Sequence, residues 1–160
     1  MVMKSFKGKL VNGTQDTISL HTNDGKIGYQ IKKFQIIPAI PGDTTDVEAV
    51  VKIYSIEQSS IPTGAGGSKA TIDLSDQTLL AVAYYQDAVS VSAQSSMDII
   101  VDNMKVNQDI FVTYTNNVAA GSDECNYYIE LETSNLSLDE NTVATLKDIR
   151  NITQWVNNII

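Results

Sequence analysis

The sequence predicts a mainly β protein: an antiparallel β-sandwich or barrel-like domain over residues 1–136, then one C-terminal α-helix over 137–160. Short runs in which apolar and polar residues alternate with period two recur through the first part of the chain. Turn signals, Asn12-Gly13, Asn23-Asp24-Gly25 and Pro41-Gly42 among them, close these runs. Beyond Ser137 the apolar period lengthens to three and four residues, as a helix requires.

In order, KSFKGKLV at 4–11 reads as a strand ending at Asn12-Gly13, the dipeptide best suited to the positive φ of a tight hairpin. TISLH follows and runs to the second turn. In IGYQIKKFQII, residues 27–37, Ile27, Tyr29 and Ile31 share a face before Phe34 and Ile36 take over. That change of phase predicts a bulge near Lys32-Lys33. VEAVVKIYSIEQ, 47–58, is the next strand, with Val47, Ala49, Val51 and Ile53 opposite Glu48, Lys52 and Tyr54. SSIPTGAGGSK is expected to be a flexible surface connection. ATIDL, TLLAVAYYQDA, MDIIVD and DIFVTYT are read as strands; Thr, Val and paired Tyr favour strand over short helix in the second of these. CNYYIELE, 125–132, is expected to pair with DIFVTYT across NNVAAGSDE, with Cys125, Tyr127, Ile129 and Leu131 inward.

The helix is predicted from Ser137 and Glu140 at capping-box spacing, with Asp139 suiting a helix N-terminus. Val143, Leu146, Ile149, Ile152 and Val156 form its apolar stripe. Trp155, Val156, Ile159 and Ile160 leave apolar side chains at the very end. These residues either close the β core or pack against a neighbouring subunit.

A formal charge of −8 disfavours nonspecific contact with a phosphate backbone, so no nucleic-acid partner is expected. Lys4, Lys7, Lys9, Lys26, Lys32 and Lys33 make the N-terminal third locally basic, which is read as a solvated strand face. A single cysteine makes no internal disulfide, and MVMKSFKGKL has no apolar signal region. No window approaches the roughly 20 apolar residues that span a bilayer. The expectation is a soluble chain made in a reducing cytosol, with no membrane partner. The three Asn-X-Ser/Thr matches, at Asn12, Asn135 and Asn151, are read as chance.

No catalytic, cofactor or metal site is predicted. His21 is the only histidine, and with Cys125 it makes no recognisable zinc set. Asp73, Asp76, Asp98 and Asp102 lack the spacing of a calcium loop and are read as polar strand ends. A Cys125–His21 nucleophile pair, or a serine with His21 and an aspartate, has no local signature around it. GAGGSK, 64–69, lacks phosphate-loop spacing. Glu130 and Glu132 share a strand face as an acid–base couple would, but solvated or interfacial carboxylates fit better.

Several segments together, HTNDGKIGYQIKKFQIIP, VEAVVKIYSIEQ, DLSDQTLLAVAYY, NQDIFVTY and CNYYIELE followed by ATLKDIRN, resemble small virion-associated proteins of marine tailed bacteriophages. The resemblance implies a non-enzymatic virion structural protein, made in many copies in the cytoplasm of a bacterial host and located in the virion. Capsid decoration or cementing, by binding the major capsid protein, is the role expected, and other virion proteins are further partners. The alternative is a tail or tail-fibre component, including a carbohydrate- or receptor-binding β domain whose tyrosines would stack on sugars. No cofactor is implied. A homo-oligomer is expected, with Tyr128, Glu130, Glu132, Trp155, Val156, Ile159 and Ile160 at interfaces.

Overall fold

The structure, a computed structural model, describes residues 2–41, 46–87, 95–101, 105–118, 124–137 and Glu140. The strands in chain order are β1 (Val2–Leu10), β2 (Thr14–Ile18), β3 (Ile27–Pro38), β4 (Val47–Tyr54), β5 (Leu79–Asp87), β6 (Ser95–Ile100), β7 (Ile110–Asn116) and β8 (Cys125–Asn135). They form two antiparallel sheets, one of three strands in the order β1-β8-β3 and one of five in the order β2-β7-β4-β5-β6. The chain is mainly β, as its alternation predicts.

The sheets pack on one apolar core. Leu10, Phe34, Cys125, Ile129 and Leu131 enter it from the three-stranded sheet, and Val51, Ile53, Ala81, Ile110, Val112 and Tyr114 from the five-stranded one. Tyr127 ties the layers together: its hydroxyl donates to Asp16 Oδ2 on β2 at 2.9 Å. The ring passes over Gly8, its partner on β1, where a Cβ would stand only 2.6 Å from the Tyr127 oxygen. Glycine is therefore needed at that position for the ring to reach Asp16.

The predicted bulge is present: the β3–β8 register shifts between Ile31 and Lys33. One extra residue moves Phe34 into the core and leaves Lys32 and Lys33 exposed. TLLAVAYYQDA supplies β5, a strand as expected.

Two pairings differ from the sequence reading. Thr14 N–H donates to Val11 O at 3.1 Å and Gly13 has φ 80, so the chain turns tightly at Asn12-Gly13. Yet β1 pairs with β8 and β2 with β7, making the turn a corner between sheets and not a hairpin. DIFVTYT and CNYYIELE also part company: β7 lies between β2 and β4, whereas β8 lies between β1 and β3. The reason is burial. β7 is covered on both faces and suits the middle of the thicker sheet, while β8 alternates buried and half-buried and keeps one wet face.

The predicted strand at 47–58 ends at Tyr54, and its polar face is not wet: Lys52 and Tyr54 are both buried. ATIDL, expected as a strand, instead lies over that face. Ala70 packs on Val50 and Val82, and Lys52 Nζ donates to Thr71 O at 3.0 Å. Asp73 and Asp76 fold back on the backbone N–H groups of Ser75 and Thr78, at 3.0 and 2.9 Å, which favours turns over an extended ladder. SSIPTGAGGSK is mostly exposed, as expected, but anchored: Asn12 Nδ2 donates to Thr63 O and Thr115 Oγ1 to Pro62 O, both at 2.8 Å.

The C-terminal helix predicted over 137–160 lies, apart from Ser137 and Glu140, outside the described residues, with its stripe and Trp155, Val156, Ile159 and Ile160. Ser137 and Glu140 make the reciprocal contacts of a capping box. Glu140 N–H donates to Ser137 Oγ at 3.2 Å, and Ser137 N–H to Glu140 Oε1 at 3.4 Å. Glu140 also pairs with Lys105 at 3.2 Å.

Candidate functional site

The outer face of the three-stranded sheet carries the predicted row. Because Cys125, Tyr127, Ile129 and Leu131 turn to the core, Asn126, Tyr128, Glu130 and Glu132 turn outward. The register adds neighbours that the sequence could not supply. Lys9 and Ile37 flank Asn126, Lys7 and Gln35 flank Tyr128, Ser5 and Lys33 flank Glu130, and Met3 and Gln30 flank Glu132. Four of the six lysines read as a solvated face, Lys7, Lys9, Lys32 and Lys33, therefore do share one exposed face. Lys4 departs from it, standing over the Tyr29 ring at 5.9 Å.

At the Cys125 end of this face lies a concavity of about 800 Å³. Two outward rows form its walls, Lys9–Asn126–Ile37 and Lys7–Tyr128–Gln35, and the intervening Gly8–Tyr127–Ile36 row forms its floor. The trough exists because the pleat turns the floor's side chains inward, and Gly8 has none. Ile37 is 54 % exposed at one wall, an apolar spot among polar groups.

Fixed hydrogen bonds and ion pairs set the charge of the face. Tyr128 OH donates to Glu130 Oε1 at 2.8 Å, which raises the phenol above its ordinary range, with the Glu130 charge adding to the effect. Lys9 pairs with Glu124 at 3.3 Å and Lys32 with Glu132 at 3.4 Å. Lys7 and Lys33 have no ion-pair partner among the described residues. Glu130 and Glu132 are thus engaged with different groups, a phenol and an ammonium, and do not act as a couple.

Cys125 is buried, with its Sγ 3.6 Å from Asn126 O and 3.8 Å from Ile37 O; burial pushes the thiol up to about 12. A thiol held protonated in this way is a poor nucleophile. His21 Nδ1 lies 2.6 Å from Asp109 Oδ1, the oxygen that also accepts from the backbone N–H groups of Leu20 and His21. Partial burial pushes the Asp109 carboxyl up, but these hydrogen bonds and the imidazole together hold it below its ordinary value. His21 thus braces the entry to β7 and is not brought into hydrogen-bond contact with Cys125. In GAGGSK, Lys69 Nζ donates to Asn117 O and the short 3₁₀ turn Ala65–Gly67 follows Gly64, so the lysine serves the loop's own anchoring.

Among the described residues no group of three or more His, Cys, Asp or Glu is arranged to hold a metal ion; Asp102 lies outside them. No helix among them is long and apolar enough to cross a membrane. Of the seven tyrosines, Tyr29, Tyr54, Tyr114 and Tyr127 are buried, and Tyr84, Tyr85 and Tyr128 are half-buried. Only Tyr128 borders the trough with its outward side chain. No family model matches the chain, and a search of curated proteins finds no match.

Proposed function

We propose that this chain is a non-enzymatic structural protein of a tailed-phage virion that decorates or cements the capsid by binding the major capsid protein. The observation that carries the reading is the outer face of the β1-β8-β3 sheet. Tyr128, Glu130 and Glu132 stand there between lysine-bearing strands, in a surface the core does not use. Such a face binds by complementary charge around an aromatic anchor, and many copies on a lattice multiply a modest contact into high avidity. The sequence resemblance to virion-associated proteins supports the same role. In this reading the two sheets make a closed sandwich, and residues 137–160 form a helix on it or on a neighbouring subunit of a homo-oligomer. The reciprocal Ser137–Glu140 bonds support that helix start.

The test is to add the purified chain to capsids stripped of accessory proteins and measure co-sedimentation. Saturable binding is expected, weakened about tenfold or more by Tyr128→Ala combined with Glu130→Lys, the loss of one anchor and one charge pairing. Binding to purified tails but not to capsids moves the protein to the tail. Binding to neither overturns the virion reading.

A further inference from the structure

We propose that the trough between the Lys7 and Lys9 rows binds an acidic saccharide, a chain whose sugar units carry carboxylates. The inference rests on the reading of this face as the protein's binding surface and adds a ligand class to it. Three features point the same way. First, the concavity of about 800 Å³ falls within the range of small-ligand sites, enough for a few linked sugars. Second, its walls mix one aromatic, Tyr128, with two carboxamides, Asn126 and Gln35. Carboxamides donate and accept, as neighbouring sugar hydroxyls demand, and the aromatic face suits the apolar C–H side of a sugar ring. The Tyr128 hydroxyl is held by Glu130, so the ring is oriented before any ligand arrives. Third, charge selects the acid. Lys9 is neutralised by Glu124, but Lys7 is not ion-paired among the described residues, and it stands directly opposite Tyr128.

An acidic peptide is the competing occupant of the same charge. It would use the lysines but has little need of two carboxamides and an oriented ring. The trough also runs across the interior strand β8, where no free strand edge is available to pair with a peptide backbone.

The experiment titrates the full chain, by calorimetry and by NMR shifts, with oligogalacturonate, a neutral oligogalactan of equal length and an oligoglutamate of equal charge. Oligogalacturonate is expected to saturate the site and to bind at least about tenfold more tightly than either of the others. Lys7→Ala and Tyr128→Ala should each weaken it about tenfold, and Tyr128→Phe by less, about two- to fivefold, because the ring is kept while the Glu130 bond that orients it is lost. NMR spectra of each variant establish that it is folded. Equal binding of the neutral oligomer, equal binding of oligoglutamate, or no saturation by ~10 mM overturns the proposal. The capsid assay separates the two claims. Capsid binding without oligogalacturonate binding removes only the saccharide site, and the reverse result removes only the capsid role.

Discussion

β8 and β4 are both interior strands, and each sends an apolar face into the shared core, yet their outer faces differ completely. Outward from β8 stand Tyr128, Glu130 and Glu132, half-buried among lysines. Outward from β4 stand Val50, Lys52 and Tyr54, all buried beneath the chain that runs from Ile56 to Thr78. β4 therefore buries both of its faces, while β8 buries one and leaves the other partly exposed. Lys52 illustrates the difference. On β8 a lysine would be a solvated surface charge; on β4, burial pulls the ammonium below its ordinary value while Asp76 opposes that shift. The same alternating pattern thus has opposite meanings, depending on what crosses over the strand.

The sharpest way to break this comparison is to place a charge on each outer face. Val50→Asp is expected to cost about 2–4 kcal/mol, the desolvation of a buried carboxylate offset only in part by Lys52 on the same face, whereas Gln35→Asp should stay within about 0.5 kcal/mol. Urea denaturation of the two variants measures the contrast directly; equal costs would mean that the 56–78 segment does not seal its sheet.

A second test concerns how that connection is anchored. Gly64 has φ 82, and a Cβ there would lie 2.0 Å from the backbone oxygen of Asn116. Gly66 has φ 61 with open space around it. Gly64→Ala should cost about 3 kcal/mol, the left-handed strain plus the forced shift of the loop from β7, and Gly66→Ala about 1 kcal/mol. Similar losses at the two sites, in the same denaturation series, would remove the close approach as the cause.

The smallest effect is alkaline and compares one buried acid from each sheet. Burial pushes Cys125 up to about 12 from 9.0, and burial with the charges of Asp76 and Asp73 pushes Tyr54 up to about 12 from 10.0. A folded value above the unfolded one gives stability that is complete below the unfolded value and is lost as pH rises toward the folded one. The loss from Cys125 therefore begins near pH 9 and that from Tyr54 near pH 10, each approaching about 1.4 kcal/mol per pH unit. Denaturation between pH 8 and 10.5 should show a steeper fall in the wild type than in Cys125→Ala, starting near 9. Parallel curves would mean that the thiol is not sequestered.

Much of the three-stranded sheet was legible in the sequence because one of its faces is wet. Alternation assigned Cys125, Tyr127, Ile129 and Leu131 to the core and Tyr128, Glu130 and Glu132 to the outside. The phase break at Lys32-Lys33 locates the bulge, and the spacing of Ser137 and Glu140 matches the reciprocal hydrogen bonds they make. The five-stranded sheet was less legible. Where both faces are covered, alternation no longer separates inside from outside, so the pattern alone makes Lys52 and Tyr54 a polar face.

The trough was not legible at all. Lys7, Lys9, Gln35 and Ile37 are spread over thirty residues of chain, and they meet Asn126 and Tyr128 only through cross-strand register. By itself, then, the sequence determined most of the strands, the points where the chain turns and which side of β8 faces water, because these follow from local φ preferences and from side chains of one strand; ATIDL is the exception. Tertiary structure alone decided which strands pair, that β7 and β8 lie in different sheets, and what stands beside Tyr128. Pairing depends on the joint burial of distant segments, and that free energy belongs to the assembled core and not to any single stretch of chain.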